Sequence, residues 1–177
     1  LEDAQNKSCI IGPESTNPPQ AILWGDSNAA HYIGVVGTFA SKAGFRFRNL
    51  AVGSCPPLFS NPEEFVSAKR LADCRDSINI IRQVVNSFKV VIISASWTSY
   101  QERSNKFMDT FFDTARVLAK EGRLVILIGK APVIPSYDRR CPEKALNYPL
   151  LNCLFSTSPP LEDVSKVNTK LRDFADS

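Results

Sequence analysis

Four short apolar runs constrain this chain most: "AILWG" at 21–25, "FRFRNLAV" at 45–52, "KVVIISAS" at 89–96 and "RLVILIG" at 123–129. Each has strand length, and each is followed by a stretch whose apolar residues recur at helical spacing. After the first run come Ala29, Tyr32, Ile33, Val36, Phe39, Ala40 and Ala43, which predict a helix over 28–43. After the second come a loop at 53–61, a short helix over 62–72 and a helix over 77–88. That last helix has Ile78, Ile81, Val85 and Phe88 on one face and Asp76 or Ser77 as its cap. After the third comes a helix over 104–120 striped by Phe107, Phe111, Ala115 and Leu118, with Gly122 as its stop. The fourth run leads into a Pro-rich loop at 131–160 and a last helix over about 160–175. The third and fourth runs are apolar almost throughout, as in strands buried on both faces.

Strands alternating with helices predict a parallel sheet covered by helices on both faces. Right-handed crossovers narrow the choice to an α/β, flavodoxin-like three-layer α/β/α sandwich. The expected strand order in space is second, first, third, fourth. Residues 1–20 are polar and hold Pro13, Pro18 and Pro19, so they read as a lead-in segment or linker, with the domain at 21–177.

In such sheets ligands bind at the carboxyl ends of the strands. Four stretches meet there: Gly25-Asp26-Ser27-Asn28, Gly53-Ser54-Cys55, Ser94-Ala95-Ser96-Trp97 and Gly129-Lys130-Ala131-Pro132. Ser27 falls just before the first turn of a helix, where unpaired backbone N–H groups carry partial positive charge. A hydroxyl placed there can take an acyl group while its own N–H and that of Gly53 form an oxyanion hole. Gly25 turns the chain and Asp26 orders the turn. Asp and Ser are also favoured helix N-caps, so Gly-Asp-Ser alone is equally compatible with plain capping. Asn28, Ser54, Ser94 and Ser96 are candidate pocket residues. Trp97 and Tyr100 either stack on a sugar ring or pack under the loop. His31 lies one helical turn after Ser27, and a packed or capped role is expected for it.

Hydrophobic residues are 44% and charged residues 22% of the chain, as in globular proteins. The net charge of +3 comes from scattered Lys and Arg, with no nucleic-acid footprint; it allows a weak preference for an anionic glycan surface. With one His and no Cys-x-x-Cys, neither a zinc site nor an iron–sulfur cofactor is expected. No P-loop or Gly-x-Gly-x-x-Gly signals a nucleotide. The five cysteines lie in polar or Pro-rich sequence, which suits an oxidising compartment. Cys55 and Cys74 flank one loop–helix excursion, and Cys141 and Cys153 flank a twelve-residue step inside the Pro-rich loop. Those two bridges are expected, with Cys9 unpaired within the chain.

"ILWGDSNAAHY" resembles the first block of the SGNH (GDSL-like) hydrolase superfamily. More closely, it is similar to the extracytoplasmic SGNH domain fused to bacterial membrane acyltransferases that O-acetylate surface polysaccharides. "AVGSCPPL" resembles the second block and "VVIISASWTSY" the third, with Trp97 as is usual in that branch. The first block there usually reads Gly-Asp-Ser-His-Ala; here Asn28 replaces the His. The resemblance implies a Ser27 acyl-enzyme, an acyl donor delivered by a membrane module and a polysaccharide acceptor, including lipopolysaccharide. It also implies an extracytoplasmic, periplasmic-face location tethered to the inner membrane. The family's catalytic Asp-x-x-His follows a further strand near the C-terminus. No Asp-x-x-His occurs in these 177 residues. The expectation is therefore a C-terminally incomplete domain, inactive alone, whose fourth strand forms a bare edge prone to self-association. The rival reading is a non-catalytic glycan- or anion-binding module of the same fold.

Overall fold

The computed structural model describes residues 9–132, 138, 140–148, 150–153 and 162–177. Five strands form one sheet: β1 (Ile10–Ile11), β2 (Ala21–Gly25), β3 (Phe47–Ala51), β4 (Val90–Ser94) and β5 (Leu124–Leu127). Their order is β1-β3-β2-β4-β5. The four strands read from the sequence are parallel and in the expected order. The sheet as a whole is mixed, because Ile10 and Ile11 add an antiparallel edge to β3. The lead-in stretch is thus part of the sheet, and Arg46 fastens it by donating to the carbonyls of Ser15 at 2.6 Å and Asn17 at 2.7 Å.

Seven helices are described: α1 (Ser27–His31), α2 (Ile33–Ala43), α3 (Ala68–Val84), α4 (Trp97–Arg103), α5 (Phe107–Lys120), α6 (Cys141–Asn147) and α7 (Glu162–Ala175). Three departures from the sequence reading have local causes. The helix expected over 28–43 breaks at Tyr32, whose N–H turns back to the Ala29 carbonyl at 3.0 Å. The helices expected over 62–72 and 77–88 are instead one long α3, preceded by a single 3₁₀ turn at Pro62–Glu64. Cys74, Ile78 and Ile81 continue one buried stripe straight through Asp76 and Ser77, so no cap forms there. Helix α6 lies in the Pro-rich stretch expected to be loop, and α4 fills residues 97–103, to which the sequence reading assigns no element. The parts of the Pro-rich segment at 133–137, 139, 149 and 154–161 lie outside the described residues.

Alternation along β2 divides the core. Ile22 and Trp24 face a large cluster with Ile81 of α3, Trp97 of α4, Phe111 of α5 and Leu171 of α7. Ala21 and Leu23 face a smaller cluster with Ala29 of α1 and Val36 and Ala40 of α2. Fully burying side chains such as Ile22, Phe111 and Leu118 stabilises by about 1.5–3 kcal/mol each. The asymmetry follows from handedness: β2→β3 runs toward one edge, while β3→β4 and β4→β5 run toward the other, so their right-handed crossovers fall on opposite faces. Among the described residues, helices α1 and α2 cover the smaller face and leave part of β5 open. Leu124 stays 60% and Ile126 41% exposed, so β5 is not the strand buried on both faces that its composition suggests. Phe39, expected on the buried stripe of its helix, is 64% exposed.

Cys55–Cys74 and Cys141–Cys153 are disulfides, and Cys9 is unpaired, as the spacing predicts.

Candidate active site

The point where strand order reverses, between β2 and β4, is built on one glycine. Gly25 has φ +152°, and a Cβ there would lie 1.8 Å from the Ser94 carbonyl oxygen. Only glycine permits both that backbone and that approach. Asp26 follows, 1% exposed. Its Oδ1 accepts from the Asn28 N–H at 2.7 Å and from Asn28 Nδ2 at 3.2 Å, capping α1. Its Oδ2 accepts from the Ser96 N–H at 2.8 Å, stapling the end of β2 to the end of β4. Burial, and then the charge and hydrogen bonding of the Asp26 carboxylate, push the Tyr100 hydroxyl well above the ordinary tyrosine range; Arg103 acts the other way.

This frame presents Ser27, exposed, at the start of α1. It opens on a small cleft of about 130 Å³ lined also by Ser54, Ser96, Ser99, Tyr100 and Arg103, with Asp26 at its base. Ser54 enters from the turn after β3, in left-handed backbone at φ +62°. Two bonds fix that turn: Arg70 donates to the Gly53 carbonyl at 2.7 Å, and Cys55 is bridged to Cys74 of α3. Among the described residues, the backbone N–H groups of Ser27 and Gly53 have no acceptor. One face of α4 supplies the opposite wall: Ser96, Ser99, Tyr100 and Arg103 follow one another at i, i+3, i+4 and i+7. The Ser96 and Ser99 hydroxyls are 3.0 Å apart.

A second hollow of about 430 Å³ lies on the β5 side of α1. Asn28, His31, Tyr32, Ser94 and Lys130 line it. The Ser94 hydroxyl is buried and has no partner among the described residues. Lys130 Nζ donates to Asn28 Oδ1 at 3.5 Å, and its backbone is clasped by Asn168 of α7, which accepts from the Lys130 N–H at 2.8 Å and donates to the carbonyl at 3.0 Å.

The candidates read from the sequence are thus distributed. Ser27, Asp26 and Ser96 meet in the first cleft. Asn28, expected in the same pocket, and His31 line the second hollow instead. Gly53 sits in the turn that delivers Ser54. Trp97, expected to line the pocket, is fully buried: its Nε1 donates to the Ile128 carbonyl at 3.0 Å, and its ring packs edge-on against Phe111 at 4.7 Å between centroids. It therefore supports the rim from beneath, and Tyr100, 4% exposed, offers no stacking face either. Ser99 and Arg103 escaped the sequence reading; the helical spacing from Ser96 was the signal that pointed to them. Among the described residues no cluster of His, Cys, Asp and Glu can hold a metal ion.

The family model for the SGNH domain fused to AT3 domains matches residues 1–177. The chain belongs to that family. Searches of curated proteins and of solved structures returned no match. SGNH membership points to esterase or acyltransferase chemistry in general, and the fusion associates the domain with a membrane acyltransferase module. Together with the two disulfides, that fusion points to an extracytoplasmic domain. No described helix is long and apolar enough to cross a membrane.

Proposed function

We propose that this SGNH domain carries an acyl group, acetyl in the first instance, on Ser27 and passes it to a hydroxyl of a bacterial cell-surface polysaccharide such as lipopolysaccharide. The observation that carries the reading is the pair of unengaged N–H donors, Ser27 and Gly53, beside an exposed hydroxyl on the Gly25–Asp26 turn. In the first half-reaction Ser27 Oγ attacks the acyl carbonyl, its proton passes to a general base, and the two N–H groups stabilise the oxyanion. Collapse expels the donor's leaving group, which takes up that proton. In the second half-reaction the acceptor hydroxyl attacks the acyl-serine, and Ser27 regains its proton. Water in place of that hydroxyl makes the same site an esterase.

The base is the element these 177 residues do not supply in family form. His31 is exposed and faces the second hollow. The base in this reading is an Asp-x-x-His from elsewhere in the full-length protein, brought within hydrogen-bond reach of Ser27 Oγ. The domain would work at the periplasmic face, tethered to the inner membrane by its acyltransferase module, and these residues alone would turn over esters poorly. The lack of an Asp-x-x-His in the sequence also favours a second reading, a glycan- or anion-binding module that performs no chemistry.

Ser27→Ala in the full-length protein separates them. Acyl transfer to polysaccharide and hydrolysis of p-nitrophenyl acetate are both expected to vanish, with the glycan still bound. Activity that survives the substitution overturns the acyl-enzyme reading.

A further inference from the structure

The cleft at Ser27 has one carboxylate and one guanidinium in its lining, and the two form no ion pair with each other. Asp26 is buried, and both its oxygens accept from backbone N–H groups. Arg103 makes one fixed bond, Nη1 to the Phe65 carbonyl at 3.0 Å. That bond holds the side chain in place without neutralising it. Among the described residues no carboxylate lies within ion-pair distance of Arg103; Glu64, on the neighbouring turn, pairs with Lys106 instead at 3.4 Å. The rest of the lining is hydroxyl: Ser27, Ser54, Ser96, Ser99 and Tyr100.

We infer that Arg103 is a specificity residue, which binds an anionic group, carboxylate or phosphate, carried by the acyl acceptor close to the hydroxyl that receives the acyl group. This rests on the acyl-transfer reading above and adds the class of acceptor to it. A guanidinium presents its donors in a rigid fork that matches either anion. Anchored through Nη1 to a backbone carbonyl, it keeps donors free at little cost in side-chain order. The cleft of about 130 Å³ has room for an acetyl group and the edge of one sugar ring, so an anion reaching Arg103 must sit on that ring or on its link to the next. Arg103 is exposed at the rim, and the Asp26 oxygens are taken by backbone N–H groups, so an acidic sugar can pair with the guanidinium where a neutral ring would only cover it.

The test uses the full-length protein and three acceptors: a neutral oligosaccharide, its uronic acid counterpart and a phosphodiester-linked glycan. Wild type is expected to favour one of the two anionic acceptors by about tenfold or more in kcat/KM, chiefly through KM, and which one it favours tells carboxylate from phosphate. Arg103→Gln should collapse that preference toward unity, and Arg103→Lys should recover part of it. Free glucuronate or phosphate, matching the favoured acceptor, should compete with it in wild type where glucose does not, a readout that needs no variant to fold. The inference is overturned if wild type shows no preference, if Arg103→Gln lowers transfer to neutral and anionic acceptors alike, or if neither free anion competes. Should Ser27→Ala leave transfer intact, the acyl-enzyme reading fails by itself. Equilibrium binding of the same three glycans to the wild-type and Arg103→Gln proteins then decides the anion site.

Discussion

Asp26 Oδ2 accepts the backbone N–H of Ser96 at 2.8 Å across 70 residues of sequence, and this single contact joins the strand that leads to Ser27 to the strand that leads to the opposite wall. Removing the carboxylate strands two N–H donors, Asn28 and Ser96, at a position 1% exposed. Asp26→Ala is therefore expected to cost about 2–4 kcal/mol, read as a lower denaturant midpoint with an unchanged slope. Asp26→Asn should recover little, because its amide nitrogen would face one of those donors. Stability within about 0.5 kcal/mol of wild type would show that the staple is not formed.

Tyr100 gives the site a signature at alkaline pH. Its folded pKa is raised, so the unfolded chain ionises first, and the stability it contributes is complete below the unfolded value near 10 and is lost as pH rises beyond it. Tyr100→Phe should cost about 1 kcal/mol at neutral pH, and the gap between the two proteins should close above about pH 10. Denaturation series at pH 7, 9, 10 and 11 measure this; a gap that holds constant would contradict the account.

His31 and Ser27 lie one turn apart yet line different hollows. His31→Ala in the full-length protein is expected to keep activity within a few-fold of wild type, as for a surface substitution outside the machinery. A fall of two orders of magnitude or more with a displaced pH profile would make His31 the base.

The Cys55–Cys74 bridge closes a separation of 19 residues, and Cys141–Cys153 one of 12. Chain entropy assigns each about 3 kcal/mol. Replacing Cys55 and Cys74 together by Ser should lower the melting temperature by about 6–12 °C. Because Cys55 and Cys74 are 3% and 1% exposed, mild reductant should open Cys141–Cys153 first, as peptide mapping of partly reduced protein would show. The reverse order would place the buried bridge closer to solvent than the fold allows.

Strand β5 ends the sheet with Leu124 and Ile126 exposed on one face and, among the described residues, no strand on its outer side. Open apolar edges pair with other chains. The 177-residue chain should therefore scatter light as a species heavier than 19.6 kDa as its concentration rises, and Ile126→Lys should return it toward a monomer. A monomer at every concentration would mean the edge is protected.

The parallel core was legible because Leu23, Val91, Ile93 and their neighbours form apolar runs too short for helices and bounded by Gly, Ser and Lys. The rim was legible for the same reason: each run must end somewhere, and Gly25, Gly53, Ser94 and Gly129 mark the ends. What stayed hidden depends on contacts made at a distance. Ile10 and Ile11 are too few to show a period, and the chain that follows them is held by Arg46, a contact made 29 and 31 residues away. Asp76 and Ser77 look like a cap in isolation, but the stripe from Cys74 to Ile81 overrides them. Trp97 looks like a sugar platform until Ile128 and Phe111 claim its two sides. Arg103 and Ser99 became visible only once Trp97–Arg103 was seen to be a helix.

The bond between Cys55 and Cys74 gives the cleft a history as well as a shape. It fastens the turn that carries Gly53 and Ser54, one wall of the pocket, to α3. That fastening is an oxidation, which a reducing cytosol does not permit. A newly made chain can therefore fold its sheet and place Ser27 while this wall is still loose. Completion waits for an oxidising space, which is what an extracytoplasmic domain meets on leaving the cytosol.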